Sequence, residues 1–303
     1  MNSYLKGIFL TSLSAILFGL NPLFVYLLQT SDINLIITLY IRFVGSVLVY
    51  LIIIRLGNIP FVFIKDFHLL FKLFISSFFF LSTAALLIYS YTKVPSGLTT
   101  VLHFSYPIII TIMSIAAKRD TFNIPLAVSI LLSVIGVILV TNIGKMEFES
   151  IGIISAILSA FTFAIYLFML NDKKIKSVDN NIFVLYLSFF SLLILIIVSF
   201  FIDNPFGNLK KIDFDVISVL GALGYVVASA LGVALFSYGA RKVGGPITGT
   251  IGAFEPLTAV FVGILYFNES SPDYYIVGVG LIIVATIIVS LFSARSRKAR
   301  EIE

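Results

Sequence analysis

The sequence predicts an all-α integral membrane protein of ten transmembrane helices, arranged as two inverted five-helix repeats. Three observations carry this reading. Of 303 residues, 59% are hydrophobic and 12% charged, with a mean hydropathy of +1.11, which is more apolar surface than a water-soluble domain of this length can bury. Ten stretches are apolar for the roughly 20 residues that a helix needs to cross a hydrocarbon core of about 30 Å. The chain also matches itself: a gapless shift of 149 positions lays Tyr89, Lys93, Val94, Thr99, Pro107 and Asp120 on Tyr238, Lys242, Val243, Thr248, Pro256 and Glu269. A shift of 145 does the same for Gly7, Ile8, Leu13, Ser14, Ala15 and Phe18, which fall on Gly152, Ile153, Leu158, Ser159, Ala160 and Phe163.

The spans follow in order. The first, 5–28, contains Lys6 near its start, exceeds twenty residues and ends in no small-x-small cleavage site, so it reads as a retained span rather than a signal peptide. Asn21-Pro22 interrupts it about two thirds of the way through. A proline there either unwinds a turn and aims backbone carbonyls at a cavity, the discontinuous-helix device of transporters, or sits in a tolerated kink. The second span, 35–54, carries Arg42. Residues 61–69, broken by Lys65, Asp66 and His68, read as a loop or interfacial helix ahead of the third span, 69–91. In the fourth, 95–117, Thr99, His103 and Tyr106 recur at four- and three-residue spacing and share one face, which ends where Pro107 removes a hydrogen bond. The fifth, 123–141, closes a first repeat over 1–145.

The second repeat, 146–303, holds spans at 151–170, 182–202, 216–239, 245–267 and 274–292. Asp172, Lys173, Lys174 and Lys176 form a solvated loop that holds topology. Small residues crowd the junction of the eighth and ninth spans, and Gly245 and Gly249 have the GxxxG spacing of close helix packing. Glu255-Pro256 breaks the ninth span as Tyr106-Pro107 breaks the fourth, and Pro256 frees a carbonyl. Tyr166 and Tyr225, with Tyr89 and Tyr238, are candidate cavity or gate aromatics, although tyrosines also serve as interfacial anchors.

Loop charges orient the chain. With the amino terminus inside, fifteen basic residues (Lys6, Arg55, Lys65, Lys72, Lys118, Arg119, Lys173, Lys174, Lys176, Arg241, Lys242, Arg295, Arg297, Lys298 and Arg300) lie on the cytoplasmic side, and four (Lys93, Lys145, Lys210 and Lys211) lie outside. Both termini are therefore expected in the cytoplasm of a cell bearing this protein in its inner or plasma membrane. Five spans per repeat, an odd number, make the second repeat enter from the opposite side.

The run from Ala253 to Ile282, AFEPLTAVFVGILYFNESSPDYYIVGVGLI, resembles the ending of the second EamA-type repeat of the drug/metabolite transporter superfamily, with its Glu-Pro, its acidic residue at the end of the span and its glycine-bearing last span. The run from Phe104 to Leu139 is similar to the looser first-repeat version, with Pro107 and Asp120 in place, and an arginine partway into the second span, here Arg42, is common in the family. The resemblance covers essentially the whole chain. It implies a permease or exporter; members are linked with amino acids, sugars, nucleotide sugars, choline and drugs. The second half has no arginine equivalent to Arg42, so the repeats differ chemically.

Ionisable side chains cost roughly 2.5–3.5 kcal/mol to insert into a bilayer, which makes each a functional candidate. The expected spans contain three: Arg42, about 10 Å deep at 1.5 Å per residue, His103 at similar depth, and Glu255 nearer the midplane. Arg42 can pair with Glu255 in a structural lock or with a substrate carboxylate; His103 can line a cavity or bond a neighbouring carbonyl; proton coupling through His103 or Glu255 is the weaker option. The expected substrate-contacting set is Arg42, His103, Tyr106, Glu255, Thr99, Tyr166 and Tyr225, with helix breaks at Asn21, Pro22, Pro107 and Pro256.

The leading function is secondary transport of a small organic metabolite such as an amino acid. A passive channel or facilitator is the alternative, and too few polar residues are available for a continuous aqueous lining. An intramembrane enzyme is less favoured: Glu255 is the lone carboxylate within the spans, and two histidines without cysteine give no metal or cofactor site. No GxxxxGK[ST] phosphate loop supports ATP-driven transport, and basic residues scattered through short loops do not suit nucleic acid.

Overall fold

The computed structural model describes residues 3–61, 63–117, 124–141, 149–170, 172–207, 212, 215–243, 248, 251–268 and 273–300. Among these residues there are helices and no strands. In chain order they are α1 (Ser3–Gly19), α2 (Asn21–Gln29), α3 (Leu35–Leu56), α4 (Phe67–Tyr91), α5 (Ser96–His103), α6 (Tyr106–Ala116), α7 (Ile124–Thr141), α8 (Ser150–Leu170), α9 (Lys173–Lys176), α10 (Asn180–Ser199), α11 (Val216–Val243), α12 (Phe254–Tyr266) and α13 (Asp273–Arg300).

Seven stretches are long and apolar enough to cross a bilayer: Leu5–Gln29, Leu35–Leu56, Phe67–Tyr91, Ser96–Met113, Ser150–Leu170, Asn180–Ser199 and Val216–Gly239. Shorter apolar helical stretches, Ala127–Gly136, Phe254–Tyr266 and Ile276–Ile288, fall where the fifth, ninth and tenth spans are expected. Large apolar side chains such as Phe9, Leu48, Leu131, Leu223 and Phe261 are exposed, as they are when lipid rather than water is the solvent. Buried hydroxyls turn back onto their own helices: Thr11, Ser77, Thr100 and Ser155 each donate to the carbonyl four residues earlier, at 2.7–3.0 Å. In hydrocarbon this satisfies a polar group that water cannot reach.

Helix starts are set by short polar side chains. Asn34 Oδ1 accepts from the Ile37 N–H at 2.9 Å, Asp66 from His68 and Leu69, and Asp179 from Asn181 and Ile182, each satisfying donors that a first turn leaves unpaired. Residues 63–66 are not helical, and the Asp66 cap sets the start of α4 at Phe67, two residues before the expected start.

The interruptions fall just ahead of each proline. Leu20 separates α1 from α2, Phe104 and Ser105 separate α5 from α6, and Gly252 and Ala253 precede α12. Each proline ring clashes with the carbonyl four residues back and offers it no N–H, so the chain turns between that carbonyl and the proline. Pro22, Pro107 and Pro256 then sit in the first turn of the following helix, where a missing donor costs nothing. The expected face through Thr99, His103 and Tyr106 is therefore cut at Phe104, three residues before Pro107.

The helices pair in a regular way. α1 packs on α11 and α4 on α8, while α7 meets α13 and α3 meets α10. Hydrogen bonds tie α1 to α11 (Ser14 Oγ to the Gly232 carbonyl, 2.7 Å) and α4 to α8 (Thr83 with Thr162, 2.8 Å), and Tyr50 Oη ties α3 to α11 through the Ala230 carbonyl at 2.9 Å. At Gly239 the backbones approach so closely that an added Cβ would lie 1.9 Å from Thr11 Oγ1. Gly245, Gly249, Lys118, Arg119, Asp120, Lys145, Lys210, Lys211 and Glu269 lie outside the described residues.

At one end of α4, Lys72 pairs with Asp172 and Lys174 with Asp66, so the loop around α9 is tied to the start of α4; at the other end Lys93 pairs with Glu149. The Lys72 ammonium holds the Asp172 carboxyl below the usual carboxylate range, and Lys174 does the same for Asp66. A depressed folded-state pKa stabilises above the unfolded value of about 3.9 and stops doing so as pH falls through the folded value. With the two side chains 38% and 31% exposed, screening limits the first pair to about 1 kcal/mol or less. Asp172→Asn is thus expected to lower the melting temperature slightly at pH 7 and not at pH 2, and a difference that persists undiminished in acid would count against the ion pair.

Candidate functional site

A cavity lies where the helix breaks meet, and its polar lining comes from both halves of the chain: Asn21, Arg42, Thr83, Tyr91 and His103 from the first, Tyr225 and Glu255 from the second. Phe18, Phe80 and Phe163 form apolar walls. A second cavity, open to the surface, is lined by the far ends of α2, α4 and α12 and the start of α5, including Tyr26, Ser96, Tyr266 and Asn268. Tyr91 borders both.

Arg42 is 7% exposed, in the middle of α3. Its Nη1 donates to Tyr225 Oη at 3.2 Å, and its guanidinium lies 5.1 Å from the Phe80 ring centre and 5.7 Å from those of Phe43 and Tyr225. Aromatic faces stabilise a desolvated cation electrostatically. The lock expected between Arg42 and Glu255 is not formed: both face the same chamber, and among the described residues the ion pairs are the three outside it. Arg42 therefore keeps donors for an anionic group, and Glu255, 9% exposed at the start of α12, keeps its acceptors.

His103 Nδ1 lies 2.9 Å from Ser159 Oγ. The Ser159 hydroxyl donates to the Ala156 carbonyl, so its one proton is used and the histidine must be the donor. In the neutral imidazole this places the proton on Nδ1 and leaves Nε2 as an acceptor. Tyr106 and Tyr166 stand one layer behind the lining. Tyr106 packs edge-on to Phe163 at 4.8 Å and lies 5.6 Å from the His103 ring, while Tyr166 packs on Phe80 at 5.1 Å and Phe163 at 5.6 Å. Thr99 is fully buried away from the chamber, bonded to Ser90 at 2.8 Å, whose hydroxyl also donates to the Gly152 carbonyl at 2.9 Å. Tyr89 is at the surface, and the ring of Tyr238 carries the Lys6 and Lys242 ammonium groups at 5.7 Å each.

The lining also includes residues that sequence reasoning did not single out. Phe18 and Phe80 are two of 30 phenylalanines, and nothing in the sequence marks them. Asn21 stood out only as a helix break, yet its side chain reaches the chamber. The self-match offered a signal here: the 145-residue shift lays Asn21 on Tyr166 and Phe18 on Phe163, and the 149-residue shift lays Tyr106 on Glu255, so residues around the chamber occupy equivalent positions in the two halves.

A family model described as the EamA-like transporter family matches the chain twice, over residues 5–142 and 150–291. No curated protein matches it. Among solved structures, one titled only as the crystal structure of a protein superposes with a TM-score of 0.66 at 10% sequence identity, over 95% of this chain and 98% of its own; at that identity the likeness concerns the fold alone.

Proposed function

Because the chain belongs to the EamA-like transporter family, a family of membrane transporters within the drug/metabolite superfamily, we propose that it is a secondary carrier moving a small organic metabolite, such as an amino acid, by alternating access between two inverted five-span repeats, 1–145 and 146–303. The observation that carries this is the chamber itself: one cation, one carboxyl group and aromatic walls, contributed by both repeats and set at three proline breaks. Binding sites of such carriers form where discontinuous helices of two repeats meet. The helix pairing supports a two-fold relation between the repeats, because exchanging first with sixth and third with eighth spans maps the α1–α11 pair onto α4–α8 and leaves α7–α13 and α3–α10 unchanged.

With both termini in the cytoplasm of a cell-membrane protein, the second cavity lies on the outer side, next to the chamber, and the Lys72–Asp172 and Lys174–Asp66 pairs lie on the cytoplasmic side. This favours an outward-facing state in which substrate reaches the chamber past Tyr91. Single cysteines introduced into this Cys-free chain at Lys93 and Lys210 are expected to react with an impermeant thiol reagent from outside, and those at Lys118 and Lys174 are not. The reverse pattern overturns the orientation.

Counterflow into proteoliposomes across amino acids, nucleosides, sugars and quaternary amines tests the carrier. Saturable exchange that is accelerated by substrate on the far side is expected; an unsaturable conductance would put a channel in its place.

A further inference from the structure

Three side-chain polar atoms among the described residues are buried with no hydrogen-bond partner: Asn21 Oδ1, Ser229 Oγ and Thr286 Oγ1. Only Asn21 opens onto the chamber. An amide oxygen removed from water without a donor is unfavourable, and this one is held in place from two sides. Pro22 fixes the α1–α2 break beside it, and Gly19 packs so tightly on α12 that an added Cβ would lie 2.6 Å from the Glu255 carbonyl oxygen. The same contact thus positions Asn21 and Glu255, two side-chain acceptors on the residues that directly precede Pro22 and Pro256. Neutral His103 adds a third acceptor at Nε2, since its Nδ1 proton is spent on Ser159. Against these, the chamber holds one strong cation, Arg42, and it is already engaged with Tyr225 and the Phe80 face.

We infer that Asn21 is a ligand-contacting residue: its side-chain oxygen, with Glu255, receives the N–H-bearing ammonium group of a zwitterion whose carboxylate goes to Arg42 and whose apolar body lies against the aromatic walls. The inference deepens the carrier reading by naming the head group that its chamber selects, and it differs from attraction of cations in general because Asn21 carries no charge. An N–H donor satisfies the amide oxygen; a quaternary nitrogen with the same charge has none to give.

The test uses the purified full-length protein and three probes that share a phenyl body and a carboxylate: L-phenylalanine, its N,N,N-trimethyl derivative and 3-phenylpropionate. Thermal-shift titration reads binding because a ligand specific to the folded state raises its apparent stability. L-Phenylalanine is expected to bind at least tenfold more tightly than either analogue. Asn21→Leu, similar in volume, is expected to remove most of that preference while the ligand-free protein melts no lower than wild type, and Asn21→Asp, which keeps an acceptor, is expected to retain it. Failure of L-phenylalanine to bind, equal binding of the trimethyl derivative, or an Asn21→Leu protein with undiminished preference each overturns the inference. The carrier reading fails separately: binding of L-phenylalanine without any counterflow sinks transport and leaves the ammonium site standing, whereas counterflow confined to solutes without an N–H-bearing nitrogen does the opposite.

Discussion

Arg42→Gln is expected to reduce substrate exchange by about 10- to 150-fold while leaving the protein at least as stable as wild type. The exchange figure follows from the loss of a hydrogen bond made by a charged group, about 1.5–3 kcal/mol, at about 1.4 kcal/mol per factor of ten. The stability expectation follows from the missing partner. No carboxylate among the described residues lies within ion-pairing distance of this guanidinium, so glutamine removes a buried charge held by one hydroxyl and by aromatic faces, and the desolvation cost of that charge goes with it. Arg42→Lys keeps the charge without the planar fork and stacks less well, so it should fall between the two. Counterflow and thermal melts on the same preparations decide the matter. Unchanged exchange would remove Arg42 from the site, and a sharp fall in melting temperature would make it a structural lock after all.

Gly19→Ala is expected to destabilise the protein by about 1–3 kcal/mol, the usual range for overpacking, and to impair exchange strongly. The new Cβ would lie 2.5 Å from Thr258 Cβ and 2.6 Å from the Glu255 carbonyl oxygen. The second neighbour is backbone, so no rotamer change relieves it, and α1 must move away from α12, carrying Asn21 out of register with Glu255. Thr258→Ala should not rescue the variant, because it retains its own Cβ and the carbonyl. Gly280→Ala serves as the control: nothing lies within 4 Å of its Cβ position, so it should be silent in both measurements. A Gly19→Ala protein as stable and active as wild type would show that the junction of α1 with α12 is not tight in solution.

Several parts of this architecture were legible in sequence because they rest on local rules. Apolar runs located the seven helices long enough to cross a bilayer, and Pro22, Pro107 and Pro256 located the breaks to within three residues, since the clash of a proline ring is with its own helix. Arg42, His103 and Glu255 stood out because charge or imidazole in an apolar run is expensive wherever the helix happens to face. The remainder depends on which way side chains point. Thr99 sits at helical spacing from His103, yet its hydroxyl is used by Ser90, a neighbour across α4 that no spacing rule identifies. Arg42 and Glu255 are opposite charges at compatible depths, but Tyr225 Oη is the group that meets the guanidinium. The unpartnered amide oxygen of Asn21 is a tertiary fact, because only the assembled helices show that it is buried and that no donor arrives.

The separation between what breaks a helix and what lines the chamber has an evolutionary consequence. At Asn21, Tyr106 and Glu255 the break is enforced by the proline that follows, so the residue itself is free of any duty to the backbone. A descendant of the duplicated gene can exchange amide, phenol or carboxyl at these positions without redrawing a helix, and at Tyr166, the counterpart of Asn21, Leu167 stands in place of the proline and the helix runs through. A new appetite for cargo is then a matter of one or two codons, inherited on a frame that does not have to be learned again.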